Sequence, residues 1–176
     1  MAVETGVRVH PDVLALVEEL GLRHEVIDGA LVLDPPPTPR HQRVVMRFLT
    51  ALTDRAPDGV EVFGGLGFFY DAALPSSYVI PDVSVVRTSD VDDEGTHVPP
   101  LLVVEVLSPS TRRRDLAEKR DIYAESGVAS YWVVDPRAQT VVVHELVDGH
   151  YVETARVEGE QELVVERPLP MRCHIF

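Results

Sequence analysis

One run constrains this chain more than any other: Leu101-Leu102-Val103-Val104-Glu105-Val106-Leu107. Its apolar residues do not alternate with polar ones, the pattern of a strand buried on both faces. Such a strand needs a covering layer above and below, so the chain must build a sheet flanked by other elements. Glu105 is then anomalous. An ionised carboxylate taken out of water costs several kcal/mol even after relaxation, so it must be protonated, paired or bound to a cation. Asp82 poses the same problem in the run YVIPDVSVV, where a lone acid follows Pro81 between apolar residues.

The surrounding segments supply the layers. His10-Pro11-Asp12 followed by VLALVEEL reads as a short helix closed by Gly21, and RHEVIDGALVLD alternates around Asp28-Gly29, a two-residue hairpin signal. The link DPPPTPR suits neither a helix interior nor a central strand. It leads into HQRVVMRFLTALTDRA, where Val44, Val45, Phe48, Leu49 and Leu52 recur at helical spacing and mark a core-packing helix. From Val60, the runs VEVFGGLGFFYD, YVIPDVSVV and PLLVVEVL predict the central strands. TRRRDLAEKRDIYAESG predicts a helix closed by Gly127, with Ser108, Ser110 or Thr111 available to cap its start. ASYWVVD, QTVVVHEL, HYVETARV and ELVVERP predict four further strands. Helices and strands in this order predict an α+β fold, a mixed central β-sheet flanked by helices, in a single domain over 1–176 with an N-terminal helix and hairpin extension over about 1–37.

Composition narrows the function classes. No apolar run approaches the roughly 18 residues that span a membrane, and MAVETGVRVH lacks the basic start and apolar core of a secretory signal, so a cytoplasmic protein is expected. The one cysteine, Cys173, can form neither an internal disulfide nor a cysteine-based zinc site, and it is expected to be a small buried hydrophobe. The net charge of −13 opposes non-specific attraction to nucleic acid, because polyanion binding is driven by Lys and Arg releasing counterions. A nucleic-acid role therefore needs local basic clusters or a separate partner.

If the strands carrying Asp82 and Glu105 pair with both acids on one face, two hard oxygen ligands converge, and a divalent ion such as Mg²⁺ (or Mn²⁺) is their natural neutraliser. On the following helix Asp115, Lys119 and Tyr123 fall at i,i+4 spacing and share a stripe. Lys119 is the chain's only lysine against fifteen arginines. Beside a metal-held water it can orient the water, stabilise negative charge or accept a proton, functions that suit metal-assisted phosphodiester hydrolysis. The spacing equally allows a structural account. In it Glu105 and Lys119 form a buried ion pair, Asp82 caps a turn after Pro81, and Asp115 with Lys119 is a helix-surface pair. Arg112, Arg113 and Arg114 stand where a helix begins and are candidates to hold phosphate, or belong to a solvated loop. Trp132 is expected to pack the sheet.

The succession PDVSVV, PPLLVVEVLSPST, then Asp115, Lys119, Tyr123 and GVASYWVVDP resembles a large bacterial family of restriction-endonuclease-like proteins, long catalogued as a domain of unknown function, within the PD-(D/E)XK nuclease superfamily. The IDGALV hairpin and PRHQRVVMRFLTAL helix look like its N-terminal half, so the resemblance covers nearly the whole chain. It implies a restriction-endonuclease-like core, with Asp82, Glu105 and the backbone carbonyl of Val106 as Mg²⁺ ligands. The superfamily's usual lysine follows its glutamate by two residues, where this chain has Leu107. The family resemblance places it instead on the next helix, at Lys119, and Asp115 is expected to steer Lys119 by a hydrogen bond. Related nucleases often carry an acid on the first core helix. This chain offers His41 and Gln42, and His41 is placed either near the metal or at the surface as a capping residue.

The expected activity is Mg²⁺-dependent hydrolysis of DNA phosphodiester bonds. Two other classes remain open: a catalytically silent module that keeps the nuclease fold, as half of a homodimer or beside a DNA-binding protein, and a hydrolase of small phosphate esters.

Overall fold

The computed structural model describes residues 9–71, 77–108 and 116–176. In chain order the elements are α1 (Pro11–Glu19), β1 (His24–Ile27), β2 (Ala30–Leu33), α2 (Pro39–Thr53), β3 (Val60–Phe63), β4 (Phe68–Phe69), β5 (Tyr78–Val79), β6 (Val83–Arg87), a 3-10 turn (Thr88–Asp90), β7 (Leu102–Val106), α3 (Glu118–Ser126), β8 (Ser130–Asp135), β9 (Thr140–Val147), β10 (His150–Glu158), β11 (Leu163–Val165) and β12 (Met171–Cys173). No helix among the described residues is long and apolar enough to cross a membrane.

Local chemistry sets these boundaries. The two-residue turn between β1 and β2 needs positive φ at both positions, and Asp28 (φ 50°) and Gly29 (φ 80°) supply it. Thr38 caps α2 by accepting from the His41 N–H, and Pro39 occupies the first turn, where its missing N–H costs nothing. One stripe of α2 buries Val44, Phe48 and Leu52.

The main sheet has the order β10-β9-β8-β7-β6-β3. Its pairs are antiparallel except β7 with β8, which are parallel because the chain between them crosses over through α3. Every residue of β7 is buried, as its unbroken apolar run requires. One face, with Leu102, Val104 and Val106, packs against Val44, Phe48 and Leu52 of α2 and against Leu163, Met171 and Ile175. The other face, with Val103 and then Leu107, packs against Ile122 and Tyr123 of α3 and against Ile27, Phe68 and Val79. Those last three belong to a second sheet of order β2-β1-β5-β4. Trp132 is fully buried, edge-on to Phe48 with 6.0 Å between ring centroids, and packs the sheet as expected.

Two expectations need correction. The runs VEVFGGLGFFYD and YVIPDVSVV are not wholly central: each divides, giving β3 and β6 to the main sheet and β4 and β5 to the second. The second division falls at Ile80-Pro81-Asp82, where proline, lacking an N–H, cannot continue a ladder. Cys173 is half-buried on the short β11–β12 ribbon rather than a core residue, and burial there pushes its thiol pKa up. The strand β12 itself has only a three-residue imprint and was not anticipated.

Phe48 has no solvent exposure and anchors α2 on the sheet. Phe48→Ala should therefore lower the unfolding free energy by about 3–5 kcal/mol. Denaturant unfolding followed by Trp132 fluorescence measures it, and a loss below about 1 kcal/mol would show that the sheet holds without this contact.

Candidate active site

Successive residues of β7 point to opposite faces, so Glu105 is directed at α3 and the second sheet while Val106 faces α2. Glu105 is 2% exposed. Its Oε1 accepts from Lys119 Nζ at 3.0 Å and from the Tyr123 hydroxyl at 2.6 Å. Lys119 and Tyr123 lie one turn apart on α3, and both are buried. The Lys119 ammonium also bonds Glu25 Oε1 at 2.7 Å, and the same oxygen accepts from the Ile80 N–H at 2.7 Å. Two buried carboxylates from different sheets thus share one ammonium. This arrangement has the charge-assisted hydrogen bonds that a buried ion pair requires.

Asp82 forms an adjoining cluster. Val83 pairs with Val104 in antiparallel register, so the continuation of the ladder sets Asp82 beside Glu105. The Asp82 carboxylate turns to the strand end: Oδ2 accepts from the Val106 N–H at 2.9 Å and lies 3.0 Å from His41 Nε2. Arg23 stands 3.8 Å from Oδ1. Arg23 immediately precedes β1 and Glu25 lies within it, so this one short segment supplies a partner to each cluster.

The residues expected from the sequence are distributed between these clusters. Glu105, Lys119 and Tyr123 meet in the first. Asp82 and His41 meet in the second, and His41 is largely buried there at 11% side-chain exposure rather than lying on the surface. Asp82 does not cap its own turn. Val106 touches Asp82 through its N–H, and this contact does not involve its carbonyl. Asp115, Arg112, Arg113 and Arg114 lie outside the described residues, as do Ser110 and Thr111. Among the described residues no group of three or more His, Cys, Asp or Glu side chains gathers around a point that could hold an ion. Glu25 and Arg23 were not anticipated. The available signal was Glu25 itself, a carboxylate in HEVI, a strand that proves buried along its whole length.

Burial, with the Glu105 and Glu25 carboxylates beside it, holds the Tyr123 phenol well above the ordinary tyrosine pKa of 10.0. Tyr123 is therefore a hydrogen-bond donor to Glu105 at neutral pH. A folded-state pKa above the unfolded value contributes stability that is fully present below pH 10 and is lost as pH rises beyond it. Tyr70 and Tyr78, pushed up to about 12 chiefly by burial, act in the same direction. The denaturation midpoint should fall as pH rises above about 10, and Tyr123→Phe should make that fall shallower. An unchanged slope in urea titrations of the variant would show that Tyr123 does not hold its proton in this way.

Residues 10–175 match the family described as "Uma2: Putative restriction endonuclease". The fold is similar to that in a crystal structure of a putative nuclease belonging to DUF820 from Anabaena variabilis, with TM-score 0.68 and 21% identity over 91% of this chain and 94% of that one. A weaker likeness, to a cryo-electron microscopy structure of a DrdV–DNA complex, has TM-score 0.37 and 16% identity and covers 68% of this chain and 11% of that one. No curated protein matches the chain.

Proposed function

This chain belongs to the Uma2 family, and on that premise we propose that it hydrolyses DNA phosphodiester bonds in a Mg²⁺- or Mn²⁺-dependent reaction where β6, β7 and α3 meet. The observation that carries this reading is the position of the chain's only lysine. Lys119 reaches Glu105 from the helix after β7, while the place two residues beyond the glutamate is filled by Leu107.

The donor chemistry fits the ion. Mg²⁺ in phosphate chemistry takes one or two carboxylates, with waters and substrate oxygens completing its octahedron, so a third acidic side chain is not required. Asp82 and Glu105 would hold it, with the Val106 carbonyl as a further oxygen. When bound, it supplies Lewis-acid polarisation of the phosphoryl group and a more acidic water. Hydrolysis forms a bond from water oxygen to phosphorus and breaks the phosphorus–oxygen ester bond, whose oxygen leaves with a proton. Lys119 orients the attacking water and offsets the charge that develops on phosphate. Glu25 and the Tyr123 hydroxyl fix Lys119 and Glu105, and the Val106 N–H and His41 fix Asp82. Asp115 is assigned to steer Lys119.

A purified sample incubated with plasmid or single-stranded DNA and Mn²⁺ should cleave it. Asp82→Ala and Glu105→Ala should lower the rate by about 10²–10³-fold, the scale of losing one group that stabilises transition-state charge. Lys119→Arg should keep the fold, judged by circular dichroism, and lose cleavage, because a planar guanidinium replaces a compact ammonium. Cleavage that survives all three changes would remove the assignment, and an unfolded Lys119→Arg protein would favour a structural ion pair.

The alternative of a silent module draws on one observation: Glu105 Oε1 already accepts two hydrogen bonds within the protein. Calorimetric titration with Mn²⁺ separates the readings. Heat that disappears in Asp82→Ala supports the nuclease, whereas a wild-type protein that binds no ion supports the module. Small phosphate esters in the same cleavage panel test the third class.

A further inference from the structure

Two depressions meet at His41, and a third adjoins one of them through Arg40, Pro136 and Arg137. One, of about 390 Å³, contains Asp82 and Arg23. A second, of about 470 Å³, runs from His41 past Ser108 to Arg40 and Arg137. The third, of about 450 Å³, continues along Arg40 and Arg137 to Arg43 and Arg47. The last two form a trough that leads from the Asp82 cluster along α2 and the β8–β9 turn.

Its charge is opposite to that of the chain as a whole. Among the described residues, four of the fifteen arginines line it and no Asp or Glu side chain does, although the chain has 29 acidic residues. All four arginines are exposed. Arg40, Arg43 and Arg137 have no ion pair or side-chain hydrogen bond among the described residues, and Arg47 donates to the Ile175 carbonyl. Asp135, on the same turn as Arg137, directs Oδ1 to the Arg137 and Ala138 N–H groups and so braces the turn that presents the guanidinium. Folding alone does not account for this arrangement. Arg40 stands in the first turn of α2, which contains no acid, and a cation there opposes the helix dipole at a cost of about 0.3–1 kcal/mol. Unpaired cations in a trough leave their charge for a ligand.

The spacing suggests which ligand. Arg40, Arg43 and Arg47 follow each other at i,i+3 and i,i+7, so they share a face and span about 10 Å at 1.5 Å per residue. That length matches about three nucleotide steps of 3.4 Å measured along the duplex axis. We infer that the trough is a track for the phosphate backbone of DNA, guiding one strand past His41 to the Asp82 and Glu105 carboxylates. The identity of the polyanion rests on the nuclease reading, while the track itself rests on the four arginines.

Fluorescence anisotropy with a labelled DNA duplex, without divalent ion and across a salt series, tests the track separately from cleavage. Each phosphate contact contributes about 0.9 to the slope of log affinity against log salt. Arg43→Ala/Arg137→Ala should lose about 1.8 of that slope and at least tenfold in affinity at low salt, and Arg43→Lys/Arg137→Lys should keep the slope. Arg156→Ala, which removes a cation paired with Glu153 outside the trough, should leave both unchanged. A wild-type protein that does not bind the duplex, or a double alanine variant that binds with undiminished slope, overturns the track even if cleavage is observed. Loss of binding in the double variant, with no cleavage by the wild type, upholds the track and sinks the nuclease reading.

Discussion

The Lys119 ammonium, bonded on one side by Glu105 and on the other by Glu25, joins the parts of this molecule. Glu105 belongs to the central strand of the main sheet, Glu25 to the second sheet, and Lys119 to the helix packed over them. Each ion would cost several kcal/mol to bury alone, so none is stable there without the others. The cluster therefore fixes how the second sheet and α3 sit on β7, in a way that apolar contacts among Ile27, Val79 and Ile122 do not specify. Structural and chemical roles need not compete. A lysine held by two carboxylates is a preorganised charge, and preorganisation is what an active-site cation requires.

The site also follows from the break at Pro81. Buried backbone N–H groups need acceptors. Where β5 ends and the chain crosses to β6, the Ile80 N–H is bonded by Glu25 instead of a ladder carbonyl. At the end of the β6–β7 ladder, the Val106 N–H is bonded by Asp82. Both carboxylates thus occupy acceptor positions opened by the crossing from one sheet to the other.

Much of this was legible in the sequence, and what was not has identifiable causes. Glu105 and Asp82 stood out because a charge inside an apolar run has few physical explanations, and Lys119 with Tyr123 because helical spacing fixes their common face. Glu25 stayed hidden because strand alternation reads every second polar residue as solvent-facing. The whole of β1 is in fact buried between the hairpin and β5, and period-two reasoning cannot see a second covering layer. The assignment of β4 and β5 to another sheet was likewise not local information. A two-residue strand carries no period, and only the proline marked the crossing. The arginine trough escaped notice because Arg40, Arg43 and Arg47 resemble the ordinary solvated face of an amphipathic helix until the β8–β9 turn brings Arg137 beside them.

Net charge was the observation most opposed to a nucleic-acid ligand, and the structure shows why a total is a poor guide here. Potential at a surface is set by nearby charges, since screening at physiological ionic strength limits their reach to about 8 Å. Acid is concentrated elsewhere, for example in the cleft beside α3 lined by Asp28, Asp71, Glu118, Asp121 and Glu125. A polyanion would be repelled there, whereas the arginine trough, on the inference drawn above, would admit one. On the nuclease reading, the acidic balance then suppresses non-specific association away from the trough. A chain with −13 overall and four arginines in a groove that no described acid lines is thus better suited to selective engagement of a phosphate backbone than one whose positive charge is spread evenly.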